Sequence, residues 1–132
     1  MNKIILASSS IYRQELLKRL PVTFSSISPN IDETRINGEN FEDLARRLSN
    51  EKAAAISIKN PSAFVIGSDQ TAELNKREIR KPLSIEKAFI QLNELSGQTL
   101  NFFSGVCLKN AQKNISADEV VKFSVTYKKL SE

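Results

Sequence analysis

The chain has 132 residues, 40% hydrophobic and 26% charged, with four Gly and four Pro, which describes about one globular domain with its own core and excludes a disordered tail. A formal charge of +4 favours anionic partners. A single cysteine, Cys107, and no His exclude a disulfide within the chain and remove the commonest zinc ligand and general base.

Lys3 to Ala7 is a short Ile-rich run that predicts a buried strand ending at Ser8-Ser9-Ser10. Ser10 then suits an N-cap, and Leu16, Leu17 and Leu20 form the apolar stripe of a helix stopped by Pro21. Val22 to Ile27 alternates as a second strand, and Ser28 to Thr34 is loop by composition. From Phe41 to about Ile58, Phe41, Leu44, Ala45, Leu48, Ala53 and Ile56 recur at helical spacing and predict the longest helix. Ala63 to Gly67 reads as a buried strand with Ser68-Asp69-Gln70 at its carboxyl end, followed by a hairpin from Thr71 to Ile79 that turns around Asn75-Lys76-Arg77. Ser84 caps a third helix running to Leu95 and ended by Ser96-Gly97. Thr99 to Leu108 and Ile115 to Tyr127 predict a long antiparallel hairpin about the polar turn Lys109 to Asn114. The order β-α-β-α-β-β-α-β-β is that of an α/β domain with a mixed sheet.

Two strand-to-loop junctions in this pattern could hold an anion: the three serines with Arg13 one helical turn on, and Ser68-Asp69-Gln70. The serines are equally a plain N-cap, Asp69 equally a turn residue, and Lys52 on its own reads as an exposed helix lysine. Asp32-Glu33 adds a second acidic site, and Lys81-Pro82 presents an ammonium after the hairpin. Two carboxylate sites with Arg13, Lys52 and Lys81, and no His or Cys cluster, suit Mg²⁺-assisted phosphate chemistry better than a transition-metal centre. The Phe residues sit in apolar runs and do not interleave with the basic run Lys76 to Lys81, so a nucleic-acid partner is not expected. No apolar run reaches membrane-spanning length, and Ile4 to Ala7 is too short for a signal-peptide core; no membrane association and a cytoplasmic location are expected.

The blocks LASSSIYRQELL, IDET, EKAAA, IGSDQ, RKP and FFSGVCL, spread in this order over residues 4 to 108, resemble the Maf nucleotide pyrophosphatases, which hydrolyse nucleoside triphosphates to monophosphate and pyrophosphate. Tyr12 before Arg13 and Gln70 after Asp69 resemble the subgroup that acts on 7-methyl-GTP. The resemblance implies a mixed twisted sheet flanked by helices, of the kind shared with inosine triphosphatases. It implies a phosphate-binding loop with Ser8, Ser10 and Arg13 at its motif positions, and active-site positions at Glu33, Lys52, Asp69 and Lys81. Asp69 would be the general base for water and would share a divalent cation, Mg²⁺ above all, with Glu33. Gln70 and Ser104 would contact substrate, Ser104 standing where the family usually has Thr. A catalytically impaired, nucleotide-binding or regulatory relative is the other function this resemblance allows.

Departures from the family pattern include Ile11 for the usual Pro and Gln14 for an Arg, which thins the positive charge at the triphosphate site. The family continues beyond a stretch like VKFSVTYKKLSE with further helices and a strand, whereas this sequence ends at Glu132. A single Maf-like nucleotide-binding domain over residues 1 to 132, lacking the family's C-terminal part, is therefore expected to leave apolar surface exposed, to self-associate as a homodimer or larger assembly, and to turn nucleotide over poorly.

Overall fold

The computed structural model describes residues 3–79 and 84–129. Among them the elements follow the expected order: β1 (Ile4–Ala7), α1 (Ile11–Lys18), β2 (Ser25–Ser26), α2 (Phe41–Ser57), β3 (Phe64–Leu74), β4 (Arg77–Glu78), α3 (Ile85–Leu95), β5 (Thr99–Asn110) and β6 (Ile115–Thr126). They build one mixed sheet in the order β2-β1-β3-β5-β6, with β4 paired to part of β3. β2, β1 and β3 run parallel, while β3, β5 and β6 form an antiparallel ladder.

α2 covers one face of the sheet. Its buried residues Phe41, Leu44, Ala45, Leu48, Ser49, Lys52, Ala53 and Ile56 fall at the three- and four-residue spacing of a single helical stripe. Asn40 caps it, accepting the Asp43 amide at 2.7 Å. The stripe packs in two groups. Ala53 and Ile56 join Ile5, Ala7, Val65 and Cys107; Phe41, Leu44, Ala45 and Leu48 join Phe103. A third cluster, Leu74, Leu95 and Leu100, fixes the end of α3 at the far end of the sheet.

Two glycines set how deeply α2 sits. A Cβ on Gly67 would collide with the Ser49 carbonyl and lie 2.7 Å from the Ala53 nitrogen, and one on Gly105 would lie 2.5 Å from the Ala45 carbonyl oxygen. The helix backbone thus rests directly on the strands at these two points.

Several boundaries differ from the sequence expectation. β3 does not stop at Gly67. It continues through Ser68, Asp69 and Gln70 to Leu74, because β5 pairs with it continuously from Val65 to Glu73. Asp69 therefore lies inside a strand and not at its end. The second strand shrinks from Val22–Ile27 to Ser25–Ser26, since β1 offers it two partners, Ile5 and Leu6. The first hairpin turns on Asn75 and Lys76 alone, both with positive φ (50° and 65°) as a two-residue turn requires, and Arg77 already pairs with Leu74. In the long hairpin β5 extends to Asn110, so the turn contracts to residues 111–114.

α1 begins as expected, with the Ser10 hydroxyl accepting the Arg13 amide. Its apolar stripe, however, is not buried. Leu16, Leu17 and Leu20 line a hollow of about 250 Å³ with Leu6, Ile66 and Val106, on the face of the sheet opposite α2. On that face Val106, Val121, Phe123 and Val125 are also exposed, and Phe102 stacks on Phe123 with ring centroids 4.9 Å apart. Among the described residues, no helix is long and apolar enough to cross a membrane.

Candidate active site

The site begins with strand alternation. In β3 the residues Val65, Gly67, Asp69 and Thr71 are buried beneath α2, while Ile66, Ser68 and Gln70 belong to the other face. Asp69 is thereby aimed at the helix, where Lys52 continues the stripe of Ala45, Leu48 and Ser49. Lys52 is 7% exposed and Asp69 8%. A lysine that reads as a surface residue is in fact enclosed, and it is enclosed with partners. Its ammonium donates to Asp69 Oδ1 at 2.9 Å and meets Glu33 Oε1 at 2.8 Å. One cation thus joins a strand carboxylate to a loop carboxylate.

Burial pushes the Asp69 pKa above its ordinary value near 3.8; the Lys52 hydrogen bond and charge oppose that shift, as does the charge of Arg13, while Glu33 adds to it. Arg13, in the first turn of α1, is thus one of the charges acting on this carboxylate. The connection is topological. β1 ends where Ala7 pairs with Gly67, and its neighbours β2 and β3 lie on opposite sides of it, so the chain changes direction at this point. From Ser68 to Thr71, β3 has β5 on one side and no ladder pair on the other among the described residues. Such a crevice beyond a strand end, where the strand order reverses, is where open α/β sheets bind ligands.

A cavity of about 380 Å³ opens here, lined by Asp32, Glu33, Thr34, Leu44, Leu48, Asp69, Gln70, Thr71, Glu78 and Ile79. The leucines form an apolar wall and the carboxylates a polar one. Thr71 is fixed by its hydroxyl, which donates to the Phe41 carbonyl at 2.8 Å.

The structure brings Glu33, Lys52 and Asp69 into direct contact, and Gln70 to the rim of the same cavity. The Gln70 side chain donates to the Ser104 hydroxyl at 3.0 Å. That pair lies across the β3–β5 ladder on the face opposite Asp69. Ser8, Ser10 and Arg13 stand just beyond β1. Ser8 is buried and its hydroxyl accepts the Ser10 amide at 3.0 Å, while Ser10 accepts from Arg13 at 3.3 Å. Both hydroxyls therefore shape the turn, and the amides of Ile11 and Tyr12 have no acceptor within the helix. Arg13 borders the hollow under α1 and not the larger cavity. Lys81 lies outside the described residues.

Sequence reasoning missed Glu39 and Arg47. Arg47 holds Glu39 through two bonds, at 2.8 and 3.0 Å. Its spacing from Glu51, four residues on along a helix, was a readable signal; its reach to the loop was not.

Hard oxygen donors on two carboxylates, with no His in the chain, fit a magnesium-like cation, which takes one or two carboxylates and leaves its remaining positions to water and phosphate oxygens. Among the described residues no cluster of three metal-binding side chains occurs.

Fold and crevice together define an α/β open-sheet protein with a charged cleft at its strand-order reversal. A family model described as Maf-like protein matches residues 3–132. The 7-methyl-GTP pyrophosphatase of Pseudomonas putida is 44% identical over 131 residues, covering 99% of this chain and 68% of its own length. Those of Nitrosococcus oceani and Pseudomonas aeruginosa are 43% and 44% identical, with 65% and 69% of their lengths covered. The chain thus spans about two thirds of the length of these relatives. Among solved structures, the Staphylococcus aureus Ham1 protein superposes with a TM-score of 0.57 at 18% identity, covering 93% of this chain and 70% of that one. A Vibrio cholerae protein gives 0.51 at 12%, covering 95% and 64%. These two likenesses concern the fold alone. The chain belongs to the Maf family.

Proposed function

We propose that the protein is a nucleoside triphosphate pyrophosphatase that converts 7-methyl-GTP to 7-methyl-GMP and pyrophosphate in the cytoplasm. The observation that carries this reading is the Glu33–Lys52–Asp69 contact, whose two carboxylates line the 380 Å³ cavity, in a chain whose relatives bear that name.

Asp69 takes the proton from the attacking water. Burial raises its basicity toward the range useful for a general base, and one of its oxygens is held by Lys52, which fixes the orientation of the other. The bond to the α-phosphorus forms from the water oxygen, and the α–β bridging bond breaks with pyrophosphate leaving. Arg13 and the first-turn amides of α1 bind phosphate oxygens, and Lys81 serves the same end. Lys52 offsets the charge that accumulates on the phosphates and keeps the two carboxylates from repelling one another. Glu33 and Asp69 would hold Mg²⁺, which supplies charge neutralisation of the phosphates when bound. Gln70 and Ser104, bonded to each other, act on the nucleobase side of the substrate.

The apolar sheet face around Val121, Phe123 and Val125 supports self-association of this chain. Analytical ultracentrifugation checks it: a monomer at all concentrations would reject it.

Pyrophosphate release across a nucleotide panel tests the function. 7-methyl-GTP should give a higher kcat/KM than dTTP or UTP. Preference for a pyrimidine would reject the substrate assignment, and release from none would reject the reaction.

A further inference from the structure

Glu33 sits in a segment, residues 32–36, without helix or strand, yet it must meet Lys52 within hydrogen-bond distance. Arg47 on α2 supplies the restraint. Its guanidinium grips Glu39 through Nε to Oε2 at 2.8 Å and Nη2 to Oε1 at 3.0 Å. Nη2 also donates to the Thr34 carbonyl at 3.0 Å, one residue beyond Glu33, and Nη1 donates to Glu51 at 2.8 Å, one residue before Lys52. The loop is closed on its other side by Arg35, whose Nε donates to the Glu39 carbonyl at 2.7 Å and whose guanidinium lies 4.5 Å over the Phe41 ring.

Exposed ion pairs contribute little, but this one is bidentate, networked and largely covered, the Glu39 and Arg47 side chains being 10% and 22% exposed. We propose that Arg47 is a positioning residue for Glu33. A single helix delivers Lys52 to Asp69 and, five residues earlier, uses Arg47 to deliver the loop carboxylate to the same ammonium. The fork geometry is essential, because Arg47 makes four bonds at once, two to Glu39 and one each to the Thr34 carbonyl and Glu51, and an ammonium has only three donors. The inference rests on the function proposed above in so far as Glu33 serves a cation and nucleotide.

Arg47→Leu tests it with two readouts that do not depend on turnover. The first is trypsin cleavage after Arg35, followed by mass spectrometry under native conditions. It should quicken about tenfold as the loop opens. The second is Mn²⁺ binding to the nucleotide-free protein, followed by electron paramagnetic resonance. Losing a nearby positive charge would by itself tighten Mn²⁺ binding; a displaced Glu33 weakens it instead, by about tenfold, as for other groups that orient a metal ligand. Arg47→Lys, which keeps the charge and the stem, should fail to restore either readout and serves in place of Arg47→Leu if that variant does not fold. Wild-type trypsin resistance at Arg35, or unweakened Mn²⁺ binding, in a folded variant overturns the proposal. A wild-type protein that neither binds Mn²⁺ nor releases pyrophosphate refutes the functional reading, and the trypsin comparison then decides the role of Arg47 alone.

Discussion

Gly105 stands opposite Asp69 in the β3–β5 ladder, and its missing side chain is what lets Ala45 of α2 rest on the strand beside the carboxylate. The approach of α2, and with it Lys52, to Asp69 therefore depends on a residue that has no side chain.

Gly105→Ala should destabilise the protein by about 1–3 kcal/mol, the range for overpacking, because the obstacle is helix backbone and not a side chain that can rotate away. Urea denaturation measures this. Any folded Gly105→Ala protein should also lose pyrophosphatase activity, as the raised helix withdraws Lys52. Wild-type stability in this variant would show that α2 can slide.

Asp69→Asn and Lys52→Met separate chemistry from stability. In Asp69→Asn the amide oxygen still accepts from Lys52, which keeps Glu33, so unfolding free energy should stay within about 1 kcal/mol of wild type while activity falls at least about a hundredfold. Lys52→Met leaves Asp69 enclosed with no cation in contact and should cost about 3–5 kcal/mol. Equal stability losses in the two variants would contradict this account of the pair.

Arg13→Ala should weaken triphosphate binding by about 1.5–3 kcal/mol, the value of a charge-assisted hydrogen bond, to the same degree for every nucleobase. Isothermal titration with non-hydrolysable GTP and UTP analogues measures it. A loss confined to one base would assign Arg13 to base recognition.

The Glu39–Arg47 pair predicts a pH signature. Arg47's hydrogen bond holds the Glu39 pKa below its ordinary 4.5. Its stabilisation is therefore full above the unfolded value and disappears as pH falls through the lower folded one. The Tm difference between wild type and Glu39→Gln should be constant from pH 7 to about 5 and shrink below about 4.5. A difference that grows toward acid would have the wrong sign.

Local signals were legible in the sequence wherever the determining contacts were local. Ser10, Ser84 and Gly97 marked helix ends correctly because a cap is settled within a few residues. The stripe from Phe41 to Ile56 showed α2 because one face of it is buried throughout. Asp69 was misplaced because its strand is extended by pairing with residues 101–106, a contact that no local pattern announces. Lys52 falls on the buried stripe by spacing, four residues after Leu48, but the partners that make a buried lysine tolerable, Asp69 and Glu33, lie on a strand and a loop that no spacing connects to it. The leucines of α1 looked like core and are not, since the face of the sheet they share is left open among the described residues.

The sheet also carries a history of assembly. β5 and β6 are joined by a four-residue turn and pair along their whole lengths, whereas Ile4 must find Phe64 across the entire α1–α2 crossover. Loop closure is cheap for the hairpin and slow for the parallel pair. Lys52 and Asp69 lie between these two events, one on the crossover and one on the strand that receives it. A refolding chain should thus show hairpin amide protection before any cation or nucleotide binding, so that competence to bind reports completion of the last, longest-range step of folding.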